Sequence, residues 1–455
     1  MSRVNIAELI DRGPFNRFYL TVFALLFLLI LFDGYDQGVY GTALPSLIEE
    51  SGLSPSVFGL IASFTLYGMM AGGIVLGMLA DKIGRKATLI LGTVIFCVGT
   101  GLFGFMSEPI GFTICRALAG FGLAGVSPVA ITLATEYSPI KNRATIVTVV
   151  TAGVPIGTML APLVGLLILP QFGWRPMYWI GFIPLVMVVL IPLFIPESMD
   201  VLLRKNKSDE IKRILGKAQP GFVVSEDSEF VIAAEEKIQP SFFGSFTSLF
   251  KDGKALNTLL LWLVFGLIMF TVYCMTTWLP QLMKIAGYNL DNSLFFMLIF
   301  TLGSIPGVGI SGRIANIFGY KKTIIAYVLM AAVMIMAVSS KPSFVILSVL
   351  LFFVGAGIFG GMGLIFAYTS QSYENSIRAT AVGWASAMGR FGGSFGPLIT
   401  GLLIANNVSL PINFMVFALA LAAVGIAVGM TKDRTREVQT STASELSDGK
   451  SALSD

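Results

Sequence analysis

Residues 77–86 read GMLADKIGRK, and a related stretch, GRIANIFGYK, occupies residues 312–321. Each stretch has two glycines seven residues apart, with a lysine two residues after the second glycine. The offset of 235 residues (312 minus 77) also relates other short motifs along the chain. It takes Leu44-Pro45 onto Leu279-Pro280, Gly120 and Gly122 onto Gly355 and Gly357, Arg143-Ala144-Thr145 onto Arg378-Ala379-Thr380, and Gly157 and Pro162 onto Gly392 and Pro397. One offset that holds at so many positions predicts a chain built from two parallel repeats, an arrangement typical of membrane transporters.

The composition points to a membrane protein. Of the 455 residues, 55% are hydrophobic and only 12% are charged, against ~25% charged in an ordinary soluble domain. This balance excludes a soluble enzyme and a disordered scaffold. The absence of histidine excludes Ser-His-Asp and Cys-His catalytic pairings, imidazole-ligated metals and a histidine proton relay. Cys97, Cys115 and Cys274 lie in apolar runs, where they are expected to be small core residues. We expect no metal, no cofactor and no nucleic-acid partner.

Apolar runs long enough to cross a bilayer recur along the chain. A transmembrane helix needs ~20 mostly apolar residues to cross ~30 Å of hydrocarbon. The sequence therefore predicts an all-α polytopic protein with twelve transmembrane helices in two six-helix halves. The first run is too long and too late for a cleaved signal peptide. The runs are 18–43, 56–80, 87–106, 110–134, 145–169, 177–195, 257–279, 293–311, 323–338, 344–368, 379–404 and 412–430.

The distribution of Lys and Arg predicts the orientation. With the N-terminus inside, the outer loops carry only Arg175, Lys284 and Lys341. The inner loops and tails hold many more basic residues, so both termini are expected in the cytoplasm. The membrane is expected to be a bacterial inner membrane. We predict an N-terminal half over residues 1–196 and a cytoplasmic linker with short amphipathic helices over 197–256. The C-terminal half should cover 257–431, followed by a disordered tail over 432–455.

Several motifs resemble those of one large family of transporters. Residues 77–86 resemble the loop between helices 2 and 3 of the major facilitator superfamily, and residues 116–122 (RALAGFG) resemble its helix-4 motif. Within that superfamily, residues 33–36 (DGYD) resemble the helix-1 signature of the aromatic acid:proton symporters. Pro196-Glu197-Ser198 also occurs in these symporters, although sugar porters share it. The superfamily resemblance covers almost the whole chain, whereas the symporter resemblance depends on few residues.

The resemblance implies a charged latch at the cytoplasmic side of the N-terminal half. In the superfamily, an acid that ends helix 2 and a base that begins helix 3 hold this side shut. The matching residues are Gly77, Asp81, Gly84, Arg85, Glu136 and Arg143. The second repeat departs from the pattern, since Asn316, Tyr320 and Gln371 replace Asp81, Arg85 and Glu136. The latch is therefore expected in the first repeat and weak in the second.

Charged residues within the apolar runs are the strongest functional candidates, because a charge in hydrocarbon is costly. Asp33 and Asp36 lie ~23–27 Å along helix 1, and Arg116 lies ~9 Å from the start of helix 4, which runs the opposite way. The three side chains are thus predicted at one level. We hypothesise that Asp36, together with Asp33, takes up a proton when its contact with Arg116 breaks. The alternative is that Asp33-Gly34 breaks helix 1 and that the charges merely neutralise one another.

A further arginine is a candidate for binding an anion. Arg390 lies ~18 Å into helix 11, near the membrane midplane, where no acid of the second half is placed to neutralise it. A guanidinium binds a carboxylate through two parallel hydrogen bonds. The alternative is an ion pair across the cavity with Asp33 or Asp36. Tyr273, Trp384 and Tyr40 are candidates for holding an aromatic ring, although each of them could equally face lipid or the core.

The residues and the resemblance together predict a secondary transporter that imports a small aromatic carboxylate with protons by alternating access. Its expected partners are the substrate, protons and the lipid bilayer, and we expect it to act as a monomer. The alternatives are a major facilitator carrier for another cargo, such as a sugar porter or drug exporter, and a transporter-like receptor. Helix 7 has no glutamine-rich segment for sugar hydroxyls, and Arg390 has the wrong sign for cationic drugs. No nucleophile–base pair or nucleotide-binding loop points to an enzyme.

Overall fold

A computed structural model describes residues 3–12, 16–219, 229–231, 246–251 and 253–432. The chain forms two compact units. Unit 1 comprises Met1–Leu53 and Phe64–Glu236, and unit 2 comprises Ser54–Ser63 and Lys237–Asp455. The predicted tail lies outside the described residues from residue 433 onward, as do parts of the predicted linker. The predicted boundaries of the two halves stay a prediction.

The described residues of the first part of the chain, through residue 231, are almost entirely helical. Two three-residue strands, β1 and β2, pair in parallel, with Arg3 opposite Glu229. A short 3₁₀ segment, Ile180–Phe182, lies between α8 and α9. The elements are β1 Arg3–Asn5, α1 Ile6–Arg12, α2 Arg17–Ser51, α3 Pro55–Ile83, α4 Arg85–Phe103, α5 Pro109–Glu136, α6 Arg143–Thr151, α7 Gly153–Phe172, α8 Arg175–Trp179, α9 Leu185–Phe194, α10 Met199–Arg204, α11 Ser208–Ala218 and β2 Glu229–Val231.

The second part of the chain contains six long helices. They are α12 Ala255–Ile285, α13 Leu290–Phe318, α14 Tyr320–Val338, α15 Phe344–Gln371, α16 Asn375–Ala405 and α17 Leu410–Met430. Helices α16 and α17 both pack against α12, and α13 packs against α15. In hydrocarbon a helix satisfies every backbone hydrogen bond internally, which is why the apolar runs adopt this structure.

Helices occupy all twelve predicted runs, and the all-α prediction for the membrane region is confirmed. Among the described residues, eleven segments are both long and apolar enough to span a bilayer. The remaining run lies in α16, which has 31 residues but is less apolar because it carries Arg378, Arg390 and many glycines and serines. Two predicted spans are interrupted, one between α6 and α7 at Ala152 and one between α8 and α9.

Helix α2 is longer than its predicted run and has defined ends. Asn16 precedes it, and its side-chain oxygen accepts hydrogen bonds from the backbone N–H groups of Phe18 and Tyr19. Gly52 ends it in the left-handed conformation at φ 65°, which glycine adopts without a steric penalty. The helix runs without interruption through Asp33, Gly34 and Asp36. The part of the alternative interpretation in which Asp33-Gly34 breaks helix 1 is therefore wrong. Its other part, in which the charges merely neutralise one another, stays open.

Candidate functional site

A buried ion pair joins α2 to α5. Nη1 of Arg116 lies 3.0 Å from Oδ1 and 3.2 Å from Oδ2 of Asp36. The two residues are 4% and 1% exposed, respectively. Burying a single charge at this depth would be prohibitive, and the pair is tolerated because each charge has a partner of opposite sign.

Neutral side chains complete the coordination of this pair. The Thr100 hydroxyl on α4 donates to Oδ1 of Asp36 at 2.6 Å. Nε of Arg116 donates to the Thr65 hydroxyl on α3 at 2.9 Å. Four helices thus meet at the pair, so separating Asp36 from Arg116 requires movement among them. Sequence reasoning missed Thr65 and Thr100, because an isolated threonine in an apolar helix carries no distinguishing pattern.

Tyr40 belongs to the same buried group. Its ring lies under the guanidinium of Arg116, with the Cζ atom 5.1 Å from the ring centroid. The ring also makes an edge contact with Phe103 at 6.1 Å, and the residue is 2% exposed. A cation over an aromatic face is stabilised by the ring quadrupole. The structure therefore places Tyr40 in the support of Arg116, and its predicted part in holding a substrate ring stays a prediction.

Asp33 has a different environment from Asp36, although it is only three residues away. Its Oδ1 accepts a hydrogen bond from Nε2 of Gln37 at 3.0 Å, and its Oδ2 accepts one from the Ser127 hydroxyl on α5. The residue is 5% exposed. These donors are neutral, whereas Asp36 is held by a cation. Sequence reasoning missed Ser127 as well, although it lies three turns beyond Arg116 on the same helix.

Gly34, which lies between the two aspartates, is a point of close approach between α2 and α7. A Cβ atom on Gly34 would lie 2.1 Å from the carbonyl oxygen of Val154. The Thr158 hydroxyl donates to the Gly34 carbonyl oxygen at 3.1 Å. Contacts this close require a residue without a side chain. The Asp-Gly-Tyr-Asp sequence therefore combines two buried carboxylates with a helix-packing position.

Arg390 lies on α16 and is half-buried. Within the described part of the chain, its guanidinium has no hydrogen-bond or ion-pair partner. Tyr273 on α12 is also half-buried, and its ring lies against Gly393, one turn beyond Arg390. A Cβ atom on Gly393 would lie 2.9 Å from Cδ2 of Tyr273. The structure thus brings the ring of Tyr273 to within one helical turn of Arg390, a cation with no partner among the described residues.

Trp384 lies elsewhere on α16. Its ring stacks on Trp262 at 6.1 Å and contacts Phe246 at 4.8 Å. Phe250 completes this group through an edge contact with Trp262. Trp384 therefore lies about two turns before Arg390 and packs among aromatic rings. Its predicted part in holding a substrate ring stays a prediction.

The loop between α3 and α4 contains part of the predicted latch. Arg85 forms an ion pair with Glu136 at the end of α5. Arg143, which was predicted to join this network, instead donates from Nε to the Ser138 carbonyl oxygen at 3.4 Å. Asp81 is exposed at the end of α3. A Cβ atom on Gly77 would meet no described atom within 4 Å. The gating role of these residues stays a prediction.

Glu197 is the main residue of this region that sequence reasoning did not assign to a site. Its Oε1 accepts hydrogen bonds from the backbone N–H groups of Arg85 at 2.9 Å and Lys86 at 3.1 Å. A carboxylate at a helix N-terminus satisfies free N–H groups and interacts favourably with the helix dipole. Gly84, at φ 112°, leaves the space for it, since a Cβ there would lie 2.4 Å from Oε2. The signal was Pro196-Glu197-Ser198, noted only as a shared motif.

Tyr137 fixes the backbone next to this cap. Its hydroxyl donates to the Glu197 carbonyl oxygen at 2.6 Å. Burial, and secondarily the charge of Glu197, raises the pKa of the Tyr137 hydroxyl well above its usual range. The phenol therefore stays protonated and remains a donor.

Cysteine and acidic residues give no sign of a metal site. Cys97, Cys115 and Cys274 are buried thiols. Across the described ranges, no three His, Cys, Asp or Glu side chains come together as metal ligands.

Comparison with known proteins agrees with this architecture. The sequence pattern of the Major Facilitator Superfamily matches residues 26–317 and 295–454. A benzoate transport protein of Acinetobacter baylyi is 33% identical over 95% of this chain and 94% of its own length. The 4-hydroxybenzoate transporter PcaK of the same organism is 29% identical over 94% of each chain.

The fold is also that of a solved transporter. The crystal structure of a D-xylose-proton symporter matches with a TM-score of 0.71 and 17% identity, over 91% of this chain and 98% of that chain. This likeness concerns the fold alone. The chain is a transporter that belongs to the major facilitator superfamily and, within it, to the aromatic acid:proton symporter family.

Proposed function

We propose that this transporter imports a small aromatic carboxylate together with protons by alternating access. The observation that carries the proposal is the buried ion pair between Asp36 and Arg116, which lies within the membrane-spanning helices. A pair of buried charges is no more stabilising than well-packed apolar residues would be. The presence of this pair within hydrocarbon therefore favours a role in coupling proton movement to substrate transport.

The proton would bind when the pair separates. A carboxylate in contact with a guanidinium keeps its charge, whereas one left in apolar surroundings takes up a proton. Asp36 changes between these two situations if α2 and α5 move apart during the cycle. Asp33, held by Ser127 and Gln37, is the second carboxylate available for protonation. The proton would then keep Asp36 neutral while the substrate cavity closes to one side of the membrane and opens to the other.

The substrate would be held by Arg390 and Tyr273. Benzoate and 4-hydroxybenzoate, named for the two relatives, each carry one carboxylate on a six-membered aromatic ring. The Arg390 guanidinium, which has no partner among the described residues, is suited to bind that carboxylate through two hydrogen bonds. Tyr273 lies on α12, and its ring packs against Gly393, one turn beyond Arg390 on α16. It would offer the substrate an aromatic ring face and a hydroxyl group. A neutral sugar would leave Arg390 without a counter-ion.

The proposed setting is a bacterial inner membrane with both termini in the cytoplasm, as the distribution of basic residues predicts. We propose that one chain carries out the cycle alone. Protons are the only coupling ion the proposal requires.

Uptake of labelled benzoate into proteoliposomes tests the proposal. An inward proton gradient should drive accumulation, and a protonophore should abolish it. Asp36→Asn should lose gradient-driven accumulation but retain exchange of labelled for unlabelled benzoate, because the amide cannot carry the proton. Glu50→Gln is the matched control, since Glu50 lies on the same helix but in an exposed pair with Arg175. Accumulation by Asp36→Asn at the wild-type level would contradict the proton role.

The substrate part of the proposal has a separate test. Arg390→Lys should raise the KM for benzoate strongly, because an ammonium cannot reproduce the two parallel hydrogen bonds. Arg313→Lys, an exposed arginine on α13, is the control. If Arg390→Lys transports benzoate like the wild type, Arg390 does not clamp the carboxylate.

A further inference from the structure

Three C-terminal helices line an apolar groove that has no part in the proposed transport cycle. Helices α16 and α17 both pack on α12 but make little contact with each other. The space between them is a cavity of about 570 Å³ over one face of α12. Its floor includes Trp262, Leu263 and Phe270 of α12, and its walls include Phe395 of α16 and Val416 and Ala420 of α17.

Gly266 of α12 and Gly392 of α16 allow the two helices to approach closely at the floor of this groove. A Cβ atom on Gly392 would lie 2.4 Å from the Cα atom of Gly266. The backbones of α12 and α16 therefore touch, and no side chain rises between the two helices at this point. The groove is open along its length instead of being filled by the protein.

The size and position of the groove fit one hydrocarbon chain. From Leu259 to Phe270 the floor spans eleven residues, which is ~17 Å of helix. One leaflet is about half of the ~30 Å hydrocarbon core. The lining residues are apolar. Several of them are exposed, including Leu263 at 51% on α12, a candidate membrane span, and Phe391 at 44% on α16. An empty groove would forfeit dispersion contacts along its whole lining.

Trp262 lies near one end of the groove. It lies two turns into α12, at a depth where tryptophan is enriched near the lipid headgroups. Its ring is stacked on Trp384, but its indole N–H has no acceptor among the described residues. The ester carbonyl of a phospholipid is an acceptor found at this level of a bilayer. We propose that the groove binds one phospholipid, with an acyl chain along α12 and the ester carbonyl at the Trp262 indole.

The other occupants fit the groove less well. An aromatic carboxylate would find no cation, since no Lys or Arg lines it. A helix from a second copy of the chain would leave the Trp262 N–H without an acceptor. This inference does not depend on the identity of the transported substrate.

Filling the groove tests the proposal. Ala420→Phe places a ring in the groove, whereas Leu419→Phe, at the adjacent and 61% exposed position, places the same ring in the bilayer. Native mass spectrometry of protein purified in mild detergent should find one tightly held phospholipid in the wild type and in Leu419→Phe. Ala420→Phe should lose it. Equal retention in all three proteins would overturn the proposal. So would a dimer of the wild type that Ala420→Phe converts to a monomer with no change in lipid.

A second measurement needs no filling variant. The wild type and Trp262→Phe are reconstituted in vesicles of phosphatidylethanolamine and phosphatidylglycerol that contain a minor fraction of dibromostearoyl phospholipid. The difference in their emission isolates Trp262. Its quenching should rise in simple proportion to the brominated fraction, because one bound phospholipid is brominated with that probability. Quenching that saturates at a low brominated fraction would mean contact with several exchanging lipids and would overturn the proposal.

Discussion

One nitrogen of Arg116, Nη1, donates to both carboxylate oxygens of Asp36, while its Nε is bound to the hydroxyl of Thr65. The guanidinium is therefore shared between α2 and α3 and is not clamped to the carboxylate in a parallel fork. Asp36 also accepts a hydrogen bond from Thr100 on α4, and Arg116 also donates one to Thr65 on α3. Removing either charge leaves the other one buried.

A comparison of single and double variants tests this dependence. Arg116→Gln alone should lower the free energy of unfolding by about 3–5 kcal/mol, because it leaves the Asp36 charge buried without its partner. The double variant Asp36→Asn with Arg116→Gln should recover most of that loss, since two amides can bond to each other. Unfolding of the purified proteins in detergent measures the difference. A double variant no more stable than Arg116→Gln would contradict the interpretation.

Close packing at Gly34 makes a second prediction. Gly34→Ala should lower the yield of folded protein and abolish transport, because its methyl group would lie 2.1 Å from the Val154 carbonyl oxygen. Gly73→Ala is the control, since a Cβ there meets no described atom within 4 Å. Size-exclusion profiles and benzoate uptake would be compared. If Gly34→Ala folds and transports normally, α2 and α7 are not in the contact described.

The cap on α4 makes a third prediction. Glu197→Ala should destabilise the protein by about 1 kcal/mol, the usual effect of losing a helix N-cap. Glu197→Gln should have a smaller effect, because the amide oxygen can still accept from Arg85 and Lys86. Asp209→Ala, an exposed acid in the first turn of α11, is the control. Thermal unfolding measures all three, and equal stability of Glu197→Ala and wild type would show that the cap contributes nothing.

The position of the Tyr273 ring makes a fourth prediction. Gly393→Ala should displace that ring, because the new methyl group would lie 2.9 Å from Cδ2. If Tyr273 binds the substrate, the KM for benzoate rises severalfold with less change in the maximal rate. Gly383→Ala on the same helix is the control, since its Cβ meets no described atom within 4 Å. Uptake kinetics measure the KM of each variant. An unchanged KM for Gly393→Ala would contradict the assignment of Tyr273 to the substrate site.

The sequence predicted the helices well because apolar length and internal repetition are local signals. The level shared by Asp36 and Arg116 could also be estimated, since helix rise converts residue number into depth. The contacts of Thr65, Thr100 and Ser127 could not, because they depend on which faces of separate helices meet. Glu197 was missed for the same reason: it caps a helix that begins 112 residues earlier in the chain. The rings around Trp384 could not be predicted either, because spacing along a helix does not show which rings of other segments pack on it.

The N-terminal segment has a consequence for biosynthesis. Nδ2 of Asn16 donates to the Lys217 carbonyl oxygen, 201 residues further along the chain, and β1 pairs with β2 at Glu229. At ~5–20 residues per second, the ribosome needs roughly 10–40 s between making these two regions. The N-terminal segment therefore cannot form these contacts until the ribosome has made the linker. A bulky domain fused to the N-terminus would have to leave room for the linker residues near Lys217 and Glu229 to form these contacts.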